Sequence, residues 1–202
     1  MKLYYSPGSS SLPAHIALRE AGLPFDLVRV NLKTRQTAAG ADFTAVNPKG
    51  YVPALQLESG EVLTEGAAIL QYLGELAPAS GLLPRAGTME RQRVVEWLAF
   101  IATELHKNYS PLFNPAASAE LKQSVRPLIE RRLAYVESRL GSGPFLMGAQ
   151  FCAADCYLFT VLRWSQYVEI DLGRWPALRS YVDRVAARPS VQAAMREEGL
   201  IK

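Results

Sequence analysis

Apolar positions in the first third of the chain alternate in short runs. Leu3, Tyr4 and Tyr5 follow Met1-Lys2, Leu27 to Leu32 mixes apolar and polar residues, and Val52-Pro-Ala-Leu55-Gln-Leu57 alternates again. Such runs predict strands over 2–5, 27–32, 54–57 and 61–63, with Ser59-Gly60 as a hairpin turn between the last two. The spacing is helical over Leu12 to Ala21 and again over Ala67 to Leu76, where Ile69, Leu70, Tyr72, Leu73 and Leu76 share a face. Strand, helix, strand, hairpin and helix in that order predict a small βαβ unit followed by a hairpin and a helix.

The pattern changes near residue 78. Pro78 to Gly87, with Ser80, Gly81 and Pro84, has linker composition. Beyond it the periodicity is helical throughout. Val94, Trp97, Leu98, Ile101 and Leu105 make one stripe, and Leu128, Ile129, Leu133, Val136 and Leu140 make another, so two helices are expected to pack together. Leu158, Leu162, Trp175, Leu178, Val182 and Val185 continue the helical region to Pro189. The expected organisation is an α/β domain over 1–77, a linker over 78–87 and an all-α domain over 88–202.

Composition narrows the class without naming a function. With 202 residues, 49% of them hydrophobic and 20% charged, the chain is an ordinary globular protein able to bury a substantial core. The net charge of +3 is mild and its lysines and arginines are interspersed with acids, so nucleic acid binding is not indicated. A weak positive field still favours capture of an anion. No apolar run is long enough to span a bilayer and no signal-peptide core follows Met1, which makes the cytoplasm the expected address and a membrane role unexpected. Cys152 and Cys156 are then expected as buried free thiols, and no metal-ligand pattern surrounds His15 or any other histidine. Asp155 is expected to anchor the local backbone.

Residues 47–72, NPKGYVPALQLESGEVLTEGAAILQY, carry the densest chemical information. Thr64-Glu65-Gly66 opens the second helix, and an N-terminus whose first N–H groups are uncovered favours a carboxylate or phosphate. Pro53 has no N–H, so an extended peptide can pair with Val52 at a sheet edge without competition. Together these features predict an anion-binding peptide site.

The chain as a whole resembles the cytosolic glutathione transferases, and most closely the bacterial beta class. The resemblance rests on MKLYYSPGSSSLPAHIALRE at the start, on residues 47–72, on ATELHK at 102–107 and on FCAADCYLF at 151–159. It implies a thioredoxin-like fold for the N-terminal α/β domain and glutathione as co-substrate, with no metal. The implied reaction is attack of the glutathione thiolate on small apolar electrophiles, in a pocket between the domains lined by the first turn and by helices around 102–113 and 164–168. A homodimer and a role in detoxification are likewise implied by the family.

The resemblance also assigns residues. Val52, Pro53, Glu65 and Gly66 match the glutathione site. His106 matches a histidine that faces the sulfur, and Lys107 a lysine that pairs with a carboxylate. Arg35 stands where the family often has lysine, and its fork of donors suits a carboxylate; read alone it is a solvated charge in a loop. Glu104 is expected to reach glutathione across a dimer interface, and Tyr5 to line the sulfur pocket. Ala99 replaces a frequent asparagine, and Cys152 a Ser or Thr at the helix cap. Arg131, Arg132 and Arg139 are expected on a solvated helix face.

The departure that matters most is Ser10, which occupies the place of the beta-class catalytic cysteine in a YSPGSxSL turn. Ser9, Ser10 and Ser11 all stand at the start of a helix, where an N-cap is the plainest role for any one of them. In the functional reading Ser10 or Ser11 donates to the glutathione sulfur. A free thiol of pKa about 8.5 is only a few per cent thiolate at neutral pH. Lowering that pKa by about two units takes roughly 2.7 kcal/mol of selective anion stabilisation. A hydroxyl donor and a helix N-terminus are together able to supply it. A serine cannot form a mixed disulfide, so conjugation is expected with weak or absent disulfide exchange. Two other outcomes stay open: a catalytically weak glutathione-binding or ligand-carrying protein, and a transferase-shaped regulator that binds a protein partner.

Overall fold

The computed structural model describes residues 1–140 and 143–202. Contacts divide these into two compact units, one of residues 1–84 with 188–202, the other of residues 85–187.

The first unit is built on a five-stranded sheet in the order β3-β2-β1-β4-β5. Strand β1 (Lys2–Tyr5) is central, and helix α1 (Leu12–Ala21) carries the chain across to β2 (Asp26–Asn31), which pairs parallel to β1 with Tyr5 opposite Arg29. The hairpin of β4 (Ala54–Gln56) and β5 (Val62–Thr64) adds on the other side of β1, antiparallel, and helix α2 (Gly66–Leu76) follows directly. A two-residue strand, β3 (Gln36–Thr37), pairs with the end of β2. Its length gives no alternation to detect, and it is absent from the expected elements.

Alternation sorts the side chains between two faces. Tyr4, Val30, Phe43, Val52 and Ala54 form a buried cluster on one face, joined by Val28, Val46 and Val62. Helices α1 and α2 pack on each other, and α1 buries seven consecutive residues from Leu12 to Leu18.

The last helix of the chain, α8 (Pro189–Glu197), packs on α1 within this unit, although periodicity groups it with the helical region. It buries Val191, Ala194 and Met195 there and is held by a polar clamp. His15 is fully buried on α1, with Nε2 2.7 Å from Glu197 and Nδ1 3.0 Å from Glu198, while Arg19 pairs with Glu197 at 2.6 Å. Burial raises the Glu197 carboxyl, but hydrogen bonds from Arg19 and His15 outweigh it and hold its pKa below the ordinary value. Arg188 and Ser190 at the start of α8 both bond Glu20.

The second unit is helical. Helix α3 (Met89–Phe100) runs through a π-helical segment, Ile101–His106, into α4 (Lys107–Phe113). In the wide turns side chains take up backbone carbonyls: Thr103 donates to Ala99, Asn108 to Glu104 and Ser110 to His106. Helix α5 (Ala119–Leu140) buries Val125, Ile129, Leu133, Val136 and Leu140, close to the expected stripe. Helices α6 (Ala153–Arg163) and α7 (Pro176–Ala186) complete the unit, and α6 is buried along ten of its eleven residues. No helix among the described residues is long and apolar enough to cross a membrane.

Candidate active site

The chain leaves β1 through Ser6-Pro7-Gly8 and enters α1 at Leu12, so Ser9, Ser10 and Ser11 stand at the carboxyl end of the central strand. Their hydroxyls go different ways. Ser11 is fully buried and its Oγ accepts from the Ser6 N–H at 3.2 Å, lies 3.2 Å from the Ser6 carbonyl and is 2.9 Å from Ser9 Oγ. It occupies the N-cap position of α1 but makes no side-chain cap bond there, holding the turn closed instead. Ser10 is only partly buried, and its hydroxyl donates to the Val52 carbonyl at 2.8 Å.

That bond ties the first turn to the segment before β4, where Val52-Pro53 is a cis peptide. Asn47 closes the loop leading to it, donating to the Tyr51 carbonyl at 2.7 Å and accepting from the Lys49 N–H at 3.2 Å. Gly66 begins α2 beside the same place. A Cβ built there lies 3.9 Å from both the Ser10 carbonyl and the Pro53 ring, ordinary contact distances. Ser10, Val52, Pro53 and Gly66 are therefore brought together by three separate elements at one end of the sheet.

Glu65, the residue before α2, adopts φ 68° and ψ 114°, a conformation side-chain-bearing residues rarely take. It makes no side-chain cap bond to α2, so the helix presents uncapped donors. Its carboxylate instead accepts from Lys49 Nζ and from the Tyr51 hydroxyl, each at 2.7 Å, and Lys49 also donates to Thr64 at 2.9 Å. The Glu65 hydrogen bond raises the pKa of both partners, Lys49 and Tyr51. Neither partner is marked by periodicity; a basic and an aromatic residue flanking Gly50 just ahead of Val52-Pro53 are the only signal in the sequence. Arg35, at φ 57°, lies near Gly50, where an added Cβ would meet its Nε at 3.3 Å.

Tyr5 is 8% exposed and tilts toward His15 across 6.3 Å between rings; burial, then the Glu198 charge, raises its pKa. Glu198 was not singled out by sequence and has a structural place here. Its Oε2 accepts from the Gly8 N–H at 2.8 Å while Oε1 meets His15, so the C-terminal segment braces the turn that carries Ser10.

In the second unit, His106 ends the π-helical segment. Its Nδ1 lies 2.7 Å from the Tyr157 hydroxyl, and Trp164 stands edge-on at 4.8 Å between ring centroids. Burial, assisted by the Lys107 charge, lowers the His106 pKa to about 4. The ring is neutral at physiological pH; where Tyr157 donates to Nδ1, the imidazole proton stands on Nε2 as a donor for an anion. Lys107 is exposed. Glu104 is held by Arg132, which approaches it at 2.5 and 2.8 Å, so this arginine of α5 has a partner in its own unit. The expected solvated face is thus partly engaged.

The depressed His106 pKa has a thermodynamic consequence. The unfolded imidazole protonates around pH 6.5 and the folded one only near 4, so the unfolded chain binds the extra proton between those values. Stability carried by the neutral ring is full above about pH 6.5 and falls as the pH drops toward 4, by up to about 3 kcal/mol. Urea denaturation at the two ends of this window should show His106→Phe losing less stability on acidification than the parent chain. Equal losses would contradict the assignment.

Cys152 and Cys156 are both buried and neither is in a disulfide, and burial, then the Asp155 charge, raises the Cys152 thiol well above its ordinary range. No group of His, Cys, Asp and Glu suited to a metal ion occurs among the described residues.

With this geometry in hand, comparison with known proteins is specific. Residues 9–76 match the family model of the glutathione S-transferase N-terminal domain, and residues 100–189 that of the glutathione S-transferase C-terminal domain. Glutathione S-transferase GstA of Escherichia coli O157:H7 is 46% identical over 99% of this chain and 100% of its own length. A sphingomonad glutathione S-transferase complexed with glutathione aligns with a TM-score of 0.96 at 47% identity, covering 100% of both chains. A bacterial beta-class glutathione S-transferase from Sphingomonas chungbukensis aligns with the same TM-score at 46% identity, again over 100% of both chains. A thioredoxin-like unit joined to a helical one, matched end to end in sequence and in structure, establishes that the chain belongs to the glutathione S-transferase family and is an enzyme of it.

Proposed function

We propose that this protein is a beta-class-like transferase that joins glutathione to small, partly apolar electrophiles, with Ser10 replacing the usual cysteine. The observation that carries this reading is the 2.8 Å bond from Ser10 to the Val52 carbonyl, beside Gly66 and the uncapped start of α2. It gathers a hydroxyl, a peptide edge and a helix N-terminus into one place, as an anionic tripeptide with a reactive thiol requires. The sphingomonad relative complexed with glutathione supports the same ligand here.

In this proposal the Val52 backbone pairs with the cysteinyl part of glutathione, Pro53 withholds a competing donor, and Glu65 with Gly66 holds the γ-glutamyl end. Arg35 and Lys107 serve carboxylates, and Glu104 of a second copy completes the site in a homodimer. Ser10 donates to the sulfur once its bond to Val52 turns toward the ligand, with neutral His106 as a further donor, Ser11 holding the turn and Tyr5 lining the pocket. The thiolate attacks the electrophilic carbon, a C–S bond forms and the leaving group departs with its electron pair. Orientation and thiolate stabilisation supply the rate. A cytoplasmic role in detoxification accords with this chemistry.

A second reading has one observation in its favour. The Ser10 hydroxyl has a single proton, and it is given to Val52, which suits a chain that binds glutathione but turns it over poorly. Turnover decides between the two. Conjugation of glutathione to chlorodinitrobenzene is expected to saturate with glutathione and to exceed the uncatalysed rate by at least about a hundredfold, the scale of one well-placed donor. Tight glutathione binding without turnover of any electrophile would select the second reading, and no saturation at all would reject both.

A further inference from the structure

The strand order places a topological switch at β1: the chain crosses through α1 to β2 on one side and later lays β4 on the other. In open sheets of this kind ligands bind outside the carboxyl ends of the strands, where the connections diverge. Ser10 and Val52 occupy the β1–β4 side of that end. The β1–β2 side holds a groove of about 630 Å³ lined by Ser6, Arg29 to Lys33 and Gln36 to Ala38.

Its chemistry differs from that of the glutathione side. Two cations, Arg29 and Lys33, line it and no carboxylate does. Neither cation has an ion-pair partner among the described residues, so both charges are open to a ligand. Arg29 stands opposite Tyr5 in the β1–β2 register, one residue before Ser6, so it lies at the strand end from which the serine turn departs. Asn31 shapes the other wall. Its side-chain carbonyl accepts from the Lys33 and Thr34 N–H groups at 3.0 and 3.3 Å, which fixes the residue and leaves its amide N–H groups as the open end. Two cations, an amide and the Thr37 hydroxyl, around a volume that suits a substituted ring, fit an anionic group, and no carboxylate lines the groove to balance a cation.

We propose that this groove selects electrophiles bearing a carboxylate, holding that group with Arg29 and Lys33 while the electrophilic carbon faces the glutathione sulfur. The proposal rests on the transferase reading and names the substrate class of its second site. Glutathione brings its own anionic ends to other residues, so the two anions do not compete for the same cations.

Chlorodinitrobenzoate and its uncharged methyl ester test the proposal. In each, the thiolate attacks the carbon bearing chlorine, the C–S bond forms, the C–Cl bond breaks, chloride leaves with the electron pair and the thiol proton passes to solvent. The readout is the ratio of kcat/KM for acid over ester, which cancels differences in folding and in glutathione binding. Arg29→Gln combined with Lys33→Gln should lower the ratio about tenfold, mainly through KM for the acid, as expected for two partly exposed charge contacts. Arg29→Lys with Lys33→Arg should retain it. In the parent protein, raising salt to about 0.5 M should compress the ratio, because exposed charges are screened. An unchanged ratio in the Gln double variant, or a parent ratio insensitive to salt, overturns the anionic-substrate assignment. Absence of saturable turnover of the ester in the parent protein overturns the transferase reading instead.

Discussion

Replacing Asp155 by alanine should destabilise the protein by about 3–5 kcal/mol, within the range for two buried backbone donors left unsatisfied at roughly 1–3 kcal/mol each. Asp155 is fully buried at the start of α6. Its Oδ1 accepts from the Leu146 N–H at 3.0 Å and the Tyr181 hydroxyl at 2.9 Å, and its Oδ2 accepts from the Cys152 N–H at 2.9 Å. Alanine strands two backbone donors in an apolar interior and leaves Tyr181 only the longer bond to the Asp155 carbonyl, 3.2 Å. Burial raises the carboxyl pKa, so part of the loss is offset by no longer desolvating a charge. Folded domains have roughly 5–15 kcal/mol in all, and a loss of this size reaches a large fraction of it. In the proposed mechanism the consequence is functional as well, since Tyr157, two residues along α6, bonds the ring of His106. Urea denaturation followed by circular dichroism measures the effect; a loss below about 1 kcal/mol would show the three bonds to be dispensable.

Ser10→Cys should convert the protein toward disulfide chemistry, raising glutathione-dependent reduction of a small disulfide by at least about tenfold, the step that a 1.4 kcal/mol barrier change represents. The parent chain has only two cysteines, both buried, and burial raises the Cys152 thiol further from its reactive form. It therefore lacks an accessible thiolate to enter exchange. A thiol at position 10 gains one at the start of α1, where the helix field favours the anion and the Val52 carbonyl is the partner to be displaced. Oxidised glutathione should then add one glutathionyl group by mass to the variant and none to the parent. Equal reductase activity in the two proteins would contradict the role given to this position.

The N-terminal elements were legible because each is long enough to show a period. Strands at 2–5 and 54–56 and helices at 12–21 and 66–76 fall within a residue or two of the expectation. Strand β3 was not, since two residues carry no alternation, and neither was the π-helical segment before His106, where a helical stripe hides the change of period. The docking of α8 on α1 was invisible for a different reason. His15 meets Glu197 and Glu198 across some 180 positions, and nothing local marks a histidine as the partner of two distant carboxylates.

The site divides in the same way. Spacing indicated a peptide-binding edge at Val52-Pro53 and a helix start at Glu65-Gly66. The likeness to a family, not any period, pointed to Ser10 and His106. What no sequence pattern carried was the use of the Glu65 carboxylate by Lys49 and Tyr51, the Arg132 fork on Glu104 and the brace from Glu198 to Gly8. These are side-chain choices made by tertiary contact, after the backbone has been placed.

The proposed function depends above all on the turn bearing Ser10 holding glutathione with its sulfur ionised. Titrating the ultraviolet thiolate band of the glutathione complex against pH measures that directly. The bound thiol is expected to have a pKa about two units below its free value of roughly 8.5, moving back toward it in Ser10→Ala. A bound thiol that titrates at its free value, or a thiolate band that never depends on the protein, would contradict it.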